Sequence, residues 1–280
     1  MQLDNHNLIF IQCDISNKEE LKKWNLFFKD IDGIFHLGGI ARIQEGVRNP
    51  QRTHEANVTG TFNILEMMRE NGINKIVFSS SSSTYGLKNK CPYRENMPVD
   101  CLNPYSVSKY IAENYIRTYA KLYGISGINL RYFNVWGSRE VLKGELAPVV
   151  GLFFRQILFD KSYPTIIGDG LQRRDLTNIV DVVDANIKAM YKNDQKFEGE
   201  VFNIGTGRNY NMLELADLIL ESLGIDKNKK IFIQKRPAEL RETLADNSKA
   251  LKILNWKPTI ILEDEINNHR DYYLKKWDIK

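Results

Sequence analysis

Strand-like and helix-like segments alternate along the first half of this chain of 280 residues, and this alternation limits its possible folds more than any other feature. Apolar runs typical of buried strands lie at Gly33–Leu37, Lys75–Ser81 and Ile128–Asn134, with helical patterns between them. Strands separated by helices are typical of a parallel sheet whose connections cross its faces. The sequence therefore predicts an α/β fold, in which ligands bind at the carboxyl ends of the strands.

A cluster of hydroxyl groups follows one of these strands directly. The run Lys75–Ser81 ends in three serines and continues through Ser82, Ser83 and Thr84 to Gly86. Serine runs are usually solvated loops, but a run that emerges from a buried strand is more typical of a binding site. We therefore expect the carboxyl edge of the sheet to carry these hydroxyls.

Tyr105 and Lys109 lie one helical turn apart, in a segment that begins with Pro104, a residue favoured in the first turn of a helix. Side chains four residues apart share a helix face, so the phenol and the ammonium point the same way. A free tyrosine has a pKa of about 10, and a nearby cation favours the phenolate, which is a base. The spacing alone is weak, since Tyr272 and Lys276 repeat it. The place of the first pair after the serine run favours Tyr105 as the catalytic residue.

Short motifs continue in a fixed order over nearly the whole chain. They are Cys13-Asp14-Ile15, Phe35–Gly39, Asn57–Thr61, Ser79–Gly86, Tyr105–Lys109, Arg131–Asn134, Gly168–Asp175, Phe202–Gly207, Arg236–Glu239 and Ala245-Asp246. In this order they resemble the extended short-chain dehydrogenase/reductase family, in its nucleotide-sugar epimerase/dehydratase branch. The resemblance implies a Rossmann-like parallel sheet with helices on both faces and a smaller C-terminal α+β domain. It places a nucleotide-binding domain at residues 1–137 and 176–207, and a substrate-binding domain at residues 138–175 and 208–280.

The same resemblance implies NAD-dependent 4-epimerisation of a UDP-sugar. Tyr105 would take the proton of the sugar 4-hydroxyl while hydride leaves C4 for the nicotinamide. Lys109 would lower the pKa of the tyrosine and hold the nicotinamide ribose, and Ser81 would hydrogen-bond the same sugar oxygen. The residues that match NAD contacts are Asp14, Ile15, Leu37, Gly38, Gly39, Asn57, Ser79, Tyr105, Lys109 and Phe133.

Substrate contacts follow from the resemblance as well. Asn134 and Arg174 match ligands of the substrate diphosphate, and Arg236 matches a ligand of the nucleotide and diphosphate. These roles suit arginine, because its forked and permanently charged guanidinium fits phosphate oxygens. For Arg173 and Arg174 the alternative is an ordinary solvated pair. The full expected set is Ser81, Ser82, Ser83, Asn134, Arg174, Arg236 and Thr243.

Two places in the sequence bear on which reaction is catalysed. Dehydratases of the family carry an acidic pair after the site hydroxyl, whereas this chain has Ser82 and Ser83, which favours simple epimerisation. Thr243 matches a position at which a small residue leaves room for an N-acetyl group. We therefore expect UDP-N-acetylhexosamine to be accepted alongside UDP-hexose. Dehydration or reduction on the same scaffold is a weaker alternative.

One feature of the resembled family is missing. Its members begin with a strand, a glycine-rich turn and a helix that bind the pyrophosphate. This chain opens at a segment, Leu8–Cys13, that matches the third family strand. Three outcomes are open for Leu8–Cys13: it moves into the vacated central place, another chain completes the sheet, or the chain is a fragment. The alternative function is therefore a non-catalytic protein that binds sugar nucleotides or a partner chain but holds no NAD.

Composition limits the partners further. Charged residues make up 26% of the chain, with a net charge of +4 that is too mild and too scattered for nucleic acid. No apolar run approaches the ~20 residues of a membrane span, and no secretory signal opens the chain. Cys13, Cys91 and Cys101 lack metal-ligand spacing, so we expect no metal site and reduced thiols in a cytoplasmic protein, with Cys13 in a core strand.

Helix signals complete the prediction. Ser16–Glu19 and Asn211–Glu214 look like capping boxes, and His54–Asn71 predicts a long helix that ends at Gly72. His36 is expected to be packed and hydrogen-bonded rather than catalytic. The resemblance also implies a homodimer formed by this long helix and the helix of Tyr105. The apolar positions of the two helices suit either that contact or burial against the sheet, and are Ile64, Leu65, Met68, Ile111, Tyr115 and Tyr119.

Overall fold

The computed structural model describes residues 8–140, 148–192, 194–234 and 240–279; the predicted ligand Arg236 lies outside them. The helices are α1 (Lys18–Lys22), α2 (Ile43–Arg48), α3 (Pro50–His54), α4 (Gly60–Asn71), α5 (Pro104–Tyr123), α6 (Val149–Leu158), α7 (Ile179–Tyr191), α8 (Met212–Ser222), α9 (Ser248–Leu254) and α10 (Leu262–Lys276). The strands are β1 (Ile34–His36), β2 (Lys75–Ser81), β3 (Ser126–Tyr132), β4 (Val135–Trp136), β5 (Thr165–Ile167), β6 (Arg173–Asp175), β7 (Thr177–Asn178), β8 (Glu198–Ile204), β9 (Asn209–Asn211) and β10 (Ile231–Ile233).

Four strands form the central sheet in the order β1-β2-β3-β8, and every neighbouring pair is parallel. The register places Phe78 of β2 opposite His36 of β1 and Asn129 of β3. The three predicted strands are confirmed with small shifts of their ends, and β8 returns to the sheet beside β3. The predicted α/β class with a parallel sheet is therefore confirmed.

Helices cover both faces of this sheet, as expected. Side chains alternate along β2, so Ile76 and Phe78 lie on one face and Val77 on the other. The first face packs against α4 and α5 in a cluster that includes Leu65, Met68, Ile76, Phe78, Ala112 and Ile116. The second packs against α7 and α9 in a cluster that includes Val77, Ile128, Leu130, Ala185, Leu254 and Trp256.

The apolar positions considered for a dimer contact belong largely to the first cluster. Ile64, Leu65, Met68 and Tyr119 are buried there, and Tyr115 packs against its border. Of the two alternatives open from the sequence, burial against the sheet therefore accounts for these side chains within one chain.

The predicted strand at Leu8–Cys13 is wrong. This segment has no strand geometry, and the exposed fractions of Leu8, Ile9 and Phe10 are 61%, 67% and 86%. A strand is held by hydrogen bonds to a neighbour, and β1 is the outermost strand on that side of the described sheet. The segment therefore has not moved into the vacated place, and Cys13 is only half-buried, against the first cluster.

Helix ends follow short-range signals. The cap of α1 is Asn17, whose side chain accepts from the Glu20 amide, so the predicted box at Ser16–Glu19 is wrong by one residue. The box at Asn211–Glu214 is confirmed at the start of α8. The predicted long helix is interrupted by a π-helical turn at Glu55–Thr59 between α3 and α4.

A third cluster joins α6, α8 and α10 beyond the sheet, and includes Trp136, Phe153, Phe154, Leu215, Ile219 and Tyr273. The aromatic side chains of α10 and its end, Tyr272, Tyr273 and Trp277, thus pack inward. None of the helices in the described ranges is both long and apolar enough to cross a membrane.

Candidate active site

Tyr105 occupies the first turn of α5, where it is held by the chain on both sides. Asn103 caps the helix in a box with Ser106, and Pro104 supplies the first helical residue, as the sequence predicts. A Cβ at Gly46 of α2 would lie 3.0 Å from both the backbone nitrogen and the Cβ of Tyr105. The absence of a side chain at Gly46 therefore lets α2 pack directly on the residue that carries the phenol.

Lys109 lies one turn later and is almost fully buried. Its Nζ donates to the Ser79 carbonyl over 2.8 Å and lies 4.8 Å from the centre of the Phe78 ring. Burial lowers the pKa of Lys109 to about 8, against the opposing charge of Glu113. The ammonium is thus fixed to the carboxyl end of β2, with donors left for a ligand.

The phenol of Tyr105 meets two groups from other elements. Burial raises its pKa, whereas a hydrogen bond with the Ser81 hydroxyl and the positive charge of Arg42 lower it. The structure thus brings Tyr105, Ser81 and Lys109 together at one edge of the sheet. It also adds Arg42, which the sequence analysis missed.

Behind the site, α5 is tied to the sheet by an ion pair. The Glu113 carboxylate accepts from Arg131 Nε and Nη2 over 2.9 and 2.7 Å, and from Ser80 Oγ over 2.5 Å. All three side chains are buried. They link α5 to β2 and β3, and so set the distance between the Tyr105 helix and the Ser81 strand.

The loop after β1 is shaped by Asn57. Its Nδ2 donates to the Ile40 carbonyl over 2.9 Å and to Ser108 Oγ over 2.9 Å, while its Oδ1 accepts from the Ile40 amide over 2.7 Å. Gly39 has φ +146°, and a Cβ there would lie 2.6 Å from Asn57 Oδ1. The glycine is therefore required by both backbone conformation and space.

The residues around this loop lie near one another. Ile15 packs beneath Gly38, with 3.2 Å between its Cδ1 and the place of an added Cβ, and the exposed fraction of Leu37 is 60%. Asp14 is exposed and accepts from the amide and hydroxyl of Ser16 over 2.9 and 2.8 Å. His36 is packed and contacts Thr61 Oγ1 over 2.8 Å; burial and Lys109 lower its pKa to about 4, in line with the structural role expected for it.

Phe133 takes a different place from these loop residues. Its ring is fully buried in a cluster with Tyr85, Tyr93 and Ala245. Its side chain is thus part of a buried aromatic cluster.

A cavity of about 270 Å³ is lined by two of the predicted substrate ligands, Asn134 and Arg174. Polar side chains of Arg42, Asn134, Gln172 and Arg174 line it together with apolar ones such as Trp136. Asn134 Nδ2 donates to the Asp175 carbonyl over 2.9 Å and to Thr243 Oγ1 over 3.1 Å. Asn134, Arg174 and Thr243 are thus brought together.

The serines after β2 turn into a short 3₁₀ helix, Ser82–Tyr85. The Ser81 hydroxyl accepts from the Ser83 amide over 3.2 Å. The Ser83 hydroxyl is buried and has no hydrogen-bond partner among the described residues.

Arg173 points away from the cavity that Arg174 lines. Its guanidinium donates to the side chain and carbonyl of Asn209 over 2.7 and 2.8 Å, and to Glu214 over 3.2 Å. The two neighbouring arginines are therefore not an ordinary solvated pair.

Comparison with known proteins decides the family. Residues 2–205 match the model of the NAD dependent epimerase/dehydratase family. This chain belongs to that family. The predicted family, and with it the Rossmann-like fold, is confirmed.

Similar epimerases/dehydratases extend this finding. UDP-glucuronate 4-epimerase of Thermodesulfobacterium geofontis is 34% identical over 260 residues, which are 92% of this chain and 77% of the relative. The structure of UDP-glucose 4-epimerase with UDP-glucose from Thermotoga maritima has a TM-score of 0.89 at 33% identity, over 98% of this chain and 86% of that one. UDP-N-acetylglucosamine 4-epimerase from Methanobrevibacter ruminantium M1, in complex with UDP-N-acetylmuramic acid, has a TM-score of 0.89 at 28% identity, over 98% and 85%.

The epimerase/dehydratase family is described as NAD dependent, and the described residues fit one end of that cofactor. The Lys109 ammonium suits ribose hydroxyls, and the side-chain-free backbone at Gly38 and Gly39 permits close approach. The pyrophosphate end is different, because the chain before β1 carries no glycine until Gly33. The fit therefore covers the nicotinamide ribose and not the pyrophosphate.

The sequence analysis of this epimerase/dehydratase family member did not identify two charged residues near the site, Arg42 and Asp175. Arg42 follows the Gly38–Gly39 turn, and that adjacency was the only available signal. Asp175 is fully buried; burial raises the pKa of its carboxyl, and hydrogen bonds from Thr206, Ala245 and Gly207 oppose that rise. Its adjacency to Arg174 was visible in the sequence, but its partners come from distant loops.

Proposed function

We propose that this chain catalyses the 4-epimerisation of a UDP-sugar with NAD as its cofactor. The observation that carries the proposal is the convergence of Tyr105, Ser81 and Lys109 at the carboxyl edge of the sheet. Relatives of this chain, among them UDP-glucose and UDP-glucuronate 4-epimerases, support the reaction class. A phenol and a hydroxyl from different elements are suited to share one sugar oxygen.

The proton chemistry rests on Tyr105. Its phenolate takes the proton of the sugar 4-hydroxyl. After the keto-sugar has turned to present its other face, the phenol returns that proton to O4. Ser81 hydrogen-bonds the same oxygen and keeps it in line. The positive charge of Arg42 lowers the pKa of the phenol against the effect of burial, which favours the base form.

NAD supplies a hydride acceptor and donor for C4 when bound, and is regenerated in each cycle. Lys109 holds its ribose, and the loop that Asn57 fixes lies against it. The set proposed for NAD is Asp14, Ile15, Leu37, Gly38, Gly39, Asn57, Ser79, Tyr105, Lys109 and Phe133.

The UDP-sugar is proposed to occupy the cavity lined by Asn134 and Arg174. Arg174 offers a charged donor to its diphosphate, and Ser81, Ser82 and Ser83 complete the set proposed for the substrate. Thr243 is a small residue beside Asn134, which supports acceptance of UDP-N-acetylhexosamine along with UDP-hexose. Rates measured on both substrate pairs test this, and turnover of UDP-hexose alone would contradict it.

We propose that the chain works as a cytoplasmic homodimer. Val107 and Leu122, near the two ends of α5, are apolar side chains that are exposed in the single chain. Sedimentation of the purified chain tests the assembly, and a monomer at all concentrations would contradict it.

The division into two domains is proposed at the boundaries expected from the sequence. Residues 1–137 and 176–207 contain the four-stranded sheet, and 138–175 and 208–280 contain α6, α8 and α10, which share a separate core. The helix α9 is an exception, since it packs against the sheet. Limited proteolysis in the connecting segments tests the division.

The second candidate is a non-catalytic protein that binds sugar nucleotides or a partner chain but holds no NAD. We would unfold the purified chain and quantify released NAD and NADH per subunit. About one cofactor per chain supports the epimerase. No cofactor, with none taken up on addition, supports the non-catalytic alternative. Product mass separates the weaker alternatives, since epimerisation leaves the mass unchanged and dehydration lowers it.

A further inference from the structure

Two arginines line the cavity near Tyr105, and the proposed function uses only Arg174 to bind substrate there. Arg42 is half-buried, and within the described ranges its guanidinium makes no hydrogen bond or ion pair. It precedes the helix whose Gly46 contacts the backbone of Tyr105. A guanidinium keeps its charge in proteins, so Arg42 is an unneutralised cation at the wall of the sugar site.

The described part of this wall carries two cationic side chains, Arg42 and Arg174. The cavity wall, as far as it is described, contains no aspartate or glutamate. The Arg42 guanidinium has no hydrogen-bond or ion-pair partner among the described residues, so an anionic acceptor on a ligand suits this wall.

The carboxylate of Glu140 makes no ion pair with Arg42 in the described structure. Glu140 acts on Arg42 through its charge, but its Oε1 accepts from the Tyr273 hydroxyl and lies 3.3 Å from His269 Nε2. Both partners belong to α10, so these contacts hold the Glu140 carboxylate at that helix. Arg42 therefore stays available to a ligand.

We propose that Arg42 binds a carboxylate on the sugar of the substrate, which makes an acidic UDP-sugar, such as a UDP-hexuronate, the preferred substrate. The inference rests on the proposed function. The planar fork of arginine matches a carboxylate with two parallel hydrogen bonds, whereas a hydroxymethyl group accepts one at most. The N-acetyl group for which Thr243 leaves room is another part of the sugar, and one substrate can carry both groups.

The diphosphate of the same ligand is the other source of acceptors, and binding measurements separate the two. We would titrate UDP, UDP-glucose and UDP-glucuronate by calorimetry into the Tyr105→Phe protein, with and without Arg42→Gln. We expect UDP-glucuronate to bind at least ~10-fold more tightly than UDP-glucose, since a charge-assisted pair contributes about that much. Arg42→Gln should remove this preference and leave the affinity for UDP within about 2-fold.

Matched variants keep the test decisive. Arg52→Gln removes an exposed cation of α3 and should preserve the preference for UDP-glucuronate. Arg42→Lys should keep part of this preference, and it replaces Arg42→Gln if the Arg42→Gln protein does not fold. If Arg42→Gln lowered the affinities for UDP, UDP-glucose and UDP-glucuronate equally, Arg42 would be assigned to the diphosphate and the proposal would be overturned. So would equal affinity of the unmodified site for UDP-glucose and UDP-glucuronate. Because binding is read without turnover, failure of the epimerase itself would appear separately, as no product from any UDP-sugar.

Discussion

Arg131 holds Glu113 with two hydrogen bonds of 2.9 and 2.7 Å in the interior, and this pair joins the helix of Tyr105 to the sheet. Glu113 also accepts from Ser80, next to Ser81. The relative position of phenol and serine hydroxyl is thus set by a buried ion pair two turns away from Tyr105.

Glu113→Gln should lower the free energy of unfolding by about 3–5 kcal/mol, because it leaves the Arg131 charge buried without its partner. Denaturant unfolding followed by circular dichroism measures this. Glu19→Gln breaks the exposed pair with Lys22 and should leave the unfolding free energy unchanged within error. Equal stability of the two variants would contradict the structural role of Glu113.

Tyr105→Phe should abolish turnover while sugar-nucleotide affinity stays nearly intact, because only the ionisable oxygen is removed. Coupled assays of UDP-sugar turnover and calorimetry measure the two effects. The matched control is Tyr272→Phe, which alters the second Tyr-x-x-x-Lys sequence in α10 and should keep full activity. Turnover that survives Tyr105→Phe would sink the proposed proton transfer.

Stability should fall as pH drops from about 6.5 to about 4, since His36 is neutral in the folded protein over this window. The folded pKa is about 4 and the unfolded value is 6.5, so the unfolded chain binds more protons there and gains from acid. His36 alone accounts for a loss of about 3 kcal/mol at most. Urea unfolding across this pH range measures the slope.

Two variants test whether His36 causes this pH dependence of the unfolding free energy. His36→Gln keeps a donor for Thr61 without titrating, and should flatten the dependence. His54→Gln changes an exposed histidine and should leave it as steep as before. An unchanged slope in His36→Gln would show that other groups cause the loss.

Gly39→Ala should destabilise the fold and weaken NAD uptake, because the new Cβ would lie 2.6 Å from Asn57 Oδ1 at a φ of +146°. Backbone strain of this kind costs about 1–3 kcal/mol. Gly72, at the end of α4, also has a positive φ, but an added Cβ there would have no atom within 4 Å. Gly72→Ala should therefore cost only about 1 kcal/mol. Thermal unfolding and cofactor titration measure both. Wild-type NAD uptake in Gly39→Ala would argue against the proposed role of the loop.

Local patterns predicted much of the site. The helix period brought Tyr105 and Lys109 to one face, and the hydroxyls of Ser81 and its neighbours were expected at the end of an apolar strand. Both expectations depend on neighbours in sequence, which is why they are readable. The cap at Asn211 was predicted for the same reason.

The remainder depends on contacts between distant segments. Arg42 reaches the site because α2 folds back onto α5, and no spacing in the sequence announces that contact. Leu8–Cys13 has an apolar pattern typical of a strand, but strand geometry needs a partner for its backbone, and β1 does not pair with it. The Glu113–Arg131 pair likewise joins a helix to a strand through tertiary packing alone.

The position of β1 at the edge of the described sheet affects the order in which segments open. The strand is bonded to β2 on one side, and the loop that carries Gly38 and Gly39 continues from its end. Opening of this edge therefore loosens the loop before it disturbs β2 or β3. The amide hydrogen-exchange rate of β1 would therefore report how often the loop opens. A ligand that binds the loop should lower this exchange rate without contacting the strand.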